Sequence, residues 1–133
     1  MKIIVVVTGG RDYNNRDAIY SALTQLYQLH EIVALHHGAA SGVDTMCGDW
    51  CVEWMVPCYP HPARWDDLTV PGAVIASGPR GQYNRLAGFQ RNESMLVAEP
   101  RPTYGVVFPG GAGTRDMKNR MAKAGLTIWE PYS

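Results

Sequence analysis

Net charge is the first thing this sequence lacks: twelve Lys plus Arg balance twelve Asp plus Glu over 133 residues. Without a broad basic field, non-specific nucleic-acid binding is disfavoured, although a local basic pocket stays open. Long apolar runs are missing as well. The stretch Ile3-Ile4-Val5-Val6-Val7 is far too short to span a bilayer, and Gly9-Gly10 follows it where a signal peptide would carry a cleavage site. Cysteine is scarce and odd in number, only Cys47, Cys51 and Cys58, with no secretory signal, so the expectation is a soluble protein of the reducing cytoplasm without a disulfide framework. Two nucleotide signatures are also absent. No turn reads G-x-G-x-x-G or G-x-x-x-x-G-K-[ST], which disfavours a standard NAD dehydrogenase or P-loop ATPase.

What is present is 46% apolar residue content in a chain of single-domain size, so one domain over residues 1–133 is expected. Lys2 to Thr8 reads as a strand buried on both faces. A helix follows over Arg16 to Leu29, with Ile19, Leu23, Leu26 and Leu29 at helical spacing and Asn14-Asn15 available as caps. Glu31 to His36 is a second strand, and Val43, Met46, Cys47, Trp50, Cys51 and Trp54 trace one face of a second helix. Val56 to Tyr59 makes a short third strand, and Ala63 to about Asn84, rich in Gly and Pro, reads as a long loop. Arg85 to Ala98 is helical with Leu86 and Phe89 facing inward; Tyr104 to Phe108 is a fourth strand. A helix after the turn Pro109 to Thr114 runs to about Ala124 and stops at Gly125, before a last strand over Leu126 to Trp129. Alternating strands and helices predict an α/β, Rossmann-like domain: a parallel sheet of about five strands flanked by helices, with ligands bound beyond the strands' carboxyl ends.

Three glycine-bearing turns fall at that edge: Thr8-Gly9-Gly10-Arg11-Asp12, His37-Gly38-Ala39-Ala40-Ser41-Gly42-Val43-Asp44 and Pro109-Gly110-Gly111-Ala112-Gly113-Thr114. Glycine lets the backbone approach a ligand closely, and the free N–H groups of a following helix attract an anion. Ser41 and Thr114 add hydroxyls at two helix starts. Arg91, on the helix before the fourth strand, is suited to a bidentate phosphate contact or to stabilising a leaving group. The nearby carboxylates are Asp12, Asp44, Glu93 and Asp116, any of which could assist glycosidic cleavage or cap a helix, capping being the expectation for Asp44. His37 could reach a ligand from the strand end, whereas His36 is expected to pack, and Trp65 could stack on a base or cover the core. Cys47, Cys51, Cys58 and His61 offer zinc ligands, but Cys47 and Cys51 share a helical face with Met46, Trp50 and Trp54, where cysteine packs as a small hydrophobe. Neither metal nor cofactor is expected.

These turns, in this order, resemble the SLOG superfamily, and most closely its YspA-like, cpYpsA-related branch. The matching pieces are Thr8 to Tyr13, His37 to Asp44, Trp50, Pro57, Trp65, Ala87-Gly88, Arg91-Asn92 with Met95, and Phe108 to Thr114 with Asp116-Met117, so the likeness spans nearly the whole chain. The resemblance implies a Rossmann-like fold binding nucleotides or nucleotide-derived ligands. Relatives include the lonely-guy phosphoribohydrolases, which split a nucleoside monophosphate into base and ribose 5-phosphate, and sensor domains for NAD-derived signals. In the hydrolases the last turn reads P-G-G-x-G-T-x-x-E with a catalytic glutamate, and an upstream R-K-x-x-M supplies a catalytic arginine. Arg91 and Met95 fit the upstream motif with Asn92 at the lysine position, but Met117 stands where the glutamate would be. Asp116 is adjacent yet about 100° around the helix. The pattern Ala76-Ser77-Gly78-Pro79-Arg80 mimics the Ala-Gly element placed at Ala87 to Arg91.

The expected pocket holds phosphate at Gly110, Gly111, Gly113 and Thr114 with help from Arg91, ribose near Gly38, Ser41 and Gly42, and the ligand's other end at Arg11 and Asp12; Gly9, Gly10, His37, Asp44, Trp65 and Asn92 complete the expected contacts. Arg91, Asp116 and Glu93 are the catalytic candidates if an N-glycosidic bond is cleaved. Binding without turnover, as a sensor or sequestering protein for an NAD-derived or cyclic nucleotide signal, is the alternative. A single-stranded DNA-binding role, known for the SLOG-related DprA/Smf group, is argued against by the neutral charge. The related hydrolases complete their sites across a dimer interface, which predicts a homodimer.

Overall fold

A computed structural model describes residues 1–132. Along the chain run β1 (Lys2–Thr8), α1 (Arg16–Leu29), β2 (Glu31–His37), α2 (Val43–Trp54), β3 (Cys58–Pro60), β4 (Ile75–Gly78), β5 (Gly81–Asn84), α3 (Ala87–Val97), β6 (Tyr104–Val107), α4 (Ala112–Lys123) and β7 (Thr127–Trp129). Five strands form one sheet in the order β3-β2-β1-β6-β7, and every pairing in it is parallel. This is the α/β Rossmann-like sheet that the alternating pattern predicts.

Each face of the sheet has its own core. Side chains alternate along a strand, so Ile3, Val5 and Val7 of β1 pack with Ile19, Leu23 and Leu26 of α1 and with Val43, Cys47 and Trp50 of α2. Val6 points the other way and packs with Val107, Met95 of α3, and Met117 and Met121 of α4. Cys47 and Cys51 are buried in the first core, as small hydrophobes on the α2 face should be. The α1 start is capped as expected: the Asn15 side chain accepts from the Ala18 amide at 3.1 Å. Gly125, with φ +80°, comes directly after Ala124, the cap of α4, in the left-handed conformation that stops a helix.

The segment 63–84 is not simply a loop. It ends in an antiparallel hairpin, β4 with β5, turning at Gly78 to Gly81. Its strands are largely exposed, so they carry none of the apolar alternation that marks a strand in sequence. The fully buried Asn84 fastens the base: Oδ1 accepts from the Val74 and Leu86 amides, each at 3.1 Å, and Nδ2 donates to Gln90 at 2.7 Å. The mimic at Ala76 to Arg80 therefore lies in this hairpin, while Ala87 to Arg91 opens α3. The third strand also starts later than expected. Val56 donates back to Cys51 at the end of α2, and Pro57 offers its carbonyl to Leu35, so regular pairing begins at Cys58.

Candidate functional site

Strand order reverses at β1, whose neighbours are β2 on one side and β6 on the other, and such a reversal leaves a crevice at the carboxyl edge. The turns that leave these strands are knitted together. Gly10 donates its amide to the Pro109 carbonyl at 2.8 Å, and its own carbonyl accepts from Tyr13 and Val43 at 3.3 Å each. Gly42, at φ +73°, lies where a Cβ would strike the carbonyl oxygens of Gly10 and Arg11, so the second turn can approach the first only through glycine. Ser41 Oγ reaches the Arg11 carbonyl at 3.4 Å across the same seam.

Above the seam lies a cavity of about 700 Å³ lined by the first and third turns, by Gly38, Ala40 and Asp44, by Trp65, and by one face of α3. At one end is the start of α4. That helix begins at Ala112, inside the expected turn, so Gly113 and Thr114 belong to its first turn and no side chain caps it. At the β2 end sits Arg91. It donates from Nη1 to the Gly38 carbonyl, from the same nitrogen to the His61 carbonyl at 3.4 Å, and from Nε to Asn92 Oδ1 at 3.0 Å. Burial lowers its affinity for the proton and Asp44 restores part of it; a guanidinium stays charged under such a shift. Arg11 places its guanidinium 5.6 Å from the centre of the Trp65 ring, a cation–π contact at the rim. The Trp65 ring edge passes so near Gly88 that a Cβ there would stand 3.3 Å from it.

Of the residues singled out in sequence, Gly9, Gly10, Arg11, Asp12, Gly38, Asp44, Trp65, Arg91, Asn92, Gly110, Gly111, Gly113 and Thr114 line this cavity. His37, Ser41 and Gly42 support it from behind. The His37 ring is buried, with Nδ1 accepting from the Ala39 amide at 2.9 Å. Glu93 and Asp116 fall outside the lining. Asp116 accepts from Asn92 at 3.0 Å and from Arg120 at 2.8 Å, and the exposed Glu93 pairs with Arg120 at 3.6 Å. Asp44 does not cap α2 in the expected way. The cap position is Gly42, and Asp44 lies inside the first turn with its Oδ2 accepting from the Ala40 amide at 3.2 Å.

Sequence reading assigned Phe89 to the core, but it is 37% exposed and lines the cavity, together with Arg85. The signal was there in the spacing: Arg85, Gly88, Phe89, Asn92 and Met95 recur at three- and four-residue intervals, so the stripe that carries Asn92 also carries Phe89. Among the described residues, no three His, Cys, Asp or Glu side chains are gathered as metal ligands.

An all-parallel Rossmann-like sheet with an open cavity at its strand reversal defines the class of protein. Residues 3–67 match the model of the YspA, cpYpsA-related SLOG family. That range holds the first two glycine turns and Trp65, whereas α3 and the β6–α4 turn lie beyond it. No curated protein and no solved structure matches the chain.

Proposed function

We propose that this cavity binds a nucleotide or nucleotide-derived ligand, with a phosphate at the start of α4. The observation that carries the reading is the uncapped first turn of α4 opening into a cavity of nucleotide-accommodating size. The family match over residues 3–67 supports the ligand class. Arg91 and Arg11 supply positive charge, and Trp65 supplies an aromatic surface for a base.

The ligand is held without being cleaved. Met117, at the position of the hydrolases' glutamate, is fully buried in the core beneath α4, and Glu93 and Asp116 are engaged by Arg120 outside the cavity. Mass spectrometry of ligand carried through purification, followed by titration of a ribonucleoside 5′-monophosphate panel, tests the reading. Stoichiometric binding of an unchanged nucleotide, weakened at least tenfold by Arg91→Ala, is expected. Release of free base or ribose 5-phosphate would contradict the holding role, and no binding by any nucleotide would contradict the reading altogether.

A further inference from the structure

Asp44 is the carboxylate of this cavity that the fold has taken out of water. Its residue is 6% exposed, Oδ2 is engaged by the Ala40 amide, and Oδ1 is buried with no hydrogen-bond partner. A dry, unpaired carboxylate oxygen is costly. Arg91, close by, makes no hydrogen bond to it: Nη1 donates to the carbonyls of Gly38 and His61, and Nε donates to Asn92. Gly38 lies between the two groups: a Cβ there would come 3.0 Å from Asp44 Oδ2 and press on the Arg91 guanidinium. Burial raises the Asp44 carboxyl above its ordinary range, with the Ala40 amide, the nearby His37 and Arg91, and the Gly38 amide acting against that rise.

The chemistry of the missing partner can be narrowed. A carboxylate only accepts, so the partner must be a donor. An anionic group is excluded by the carboxylate itself, and a second cation is disfavoured by Arg91 beside it. A neutral donor remains, adding no charge, and in a nucleotide with its phosphate at α4 and its base on Trp65 the sugar hydroxyls are the groups left to supply it. We propose that Asp44 accepts a hydrogen bond from a sugar hydroxyl of the ligand, so that the cavity selects hydroxylated sugars over their deoxy counterparts. This rests on the reading of the cavity as a nucleotide site, with the phosphate at the start of α4. Asp44 is among the residues that line the cavity, which places its carboxylate beside the ligand. A site built around a buried acceptor rejects analogues that lack the donor, since the acceptor is then left unpaired.

The test compares each ribonucleoside 5′-monophosphate with its 2′-deoxy and 3′-deoxy forms, and ribose 5-phosphate with its 2-deoxy and 3-deoxy analogues, on the wild-type chain and on Asp44→Asn. The wild type should bind at least one deoxy form roughly tenfold more weakly or worse. That discrimination should collapse in Asp44→Asn, whose near-identical shape keeps an acceptor for the Ala40 amide. Equal binding of deoxy and hydroxylated ligands by the wild type, or full discrimination surviving in a folded Asp44→Asn, would overturn the assignment. The sugar phosphates carry no base. If they show Asp44-dependent discrimination while nucleotides bind no better than they do, the nucleotide reading falls and the Asp44 assignment stands. If nucleotides bind without regard to their hydroxyls, the reverse holds, and if nothing binds, both fall.

Discussion

The histidine pair behind the site has a protonation state that its partners dictate. His36 is fully buried, with Nε2 at 2.7 Å from the Pro100 carbonyl and Nδ1 at 2.8 Å from His61 Nε2. A carbonyl can only accept, so His36 carries its proton on Nε2, and its Nδ1 lone pair receives the proton-bearing Nε2 of His61. Burial lowers the proton affinity of both rings below the ordinary value of 6.5. The folded state therefore resists protons that the unfolded state takes up, and stability should be lost as pH falls below about 6.5. Asp44 works in the opposite sense, because its raised carboxyl costs stability at neutral pH and the cost is relieved on acidification. Comparison with His36→Asn separates the two. The unfolding midpoint of the wild type should drop between pH 7 and pH 5, and the variant, less stable at pH 7, should show a shallower drop. Equal slopes would contradict the neutral buried pair.

At the scale of elements, what sequence reading recovers follows from burial. β1, α1, β2 and α2 are legible because their apolar spacing matches the face each one buries, and the turns are legible because glycine is required where Gly42 meets the Gly10 and Arg11 carbonyls. The β4–β5 hairpin is not, since its strands bury little and are held by one asparagine rather than by an apolar face. The roles of Asp44 and Asp116 are hidden for another reason: an acidic residue near a helix start looks the same in sequence whether it caps, pairs with an arginine or lines a cavity. The start of α4 offers a test that separates stability from binding. A Cβ at Gly111 meets nothing within 4 Å, and its φ of −102° lies outside the left-handed region. In Gly111→Asp a carboxylate would occupy the cap position and complement the helix dipole; relative to glycine the cap contributes a few tenths of a kcal/mol and the dipole about 0.3–1 kcal/mol. The melting temperature should hold or rise while affinity for a nucleoside monophosphate falls at least tenfold. Unchanged affinity in a folded Gly111→Asp would remove the phosphate from α4.

Across the whole molecule, the sheet divides labour between its two faces and its carboxyl edge. The faces bury two separate cores, and the strand reversal leaves the edge open between a helix start that favours anions and a buried Asp44–Arg91 corner. No helix among the described residues is long and apolar enough to cross a membrane. The central claim is about place: a phosphate-bearing nucleotide seated across the end of β1, between α4 and the β2 turn. Amide NMR of the labelled protein, titrated with ribonucleoside 5′-monophosphates and with inorganic phosphate as control, reads that place directly. Saturable shifts should concentrate at Gly10, Arg11, Gly38, Gly111, Gly113 and Thr114, with phosphate alone moving only the α4 set. Shifts confined to the β4–β5 hairpin or to the groove beside His61 and Arg64, or no shifts at all, would contradict it.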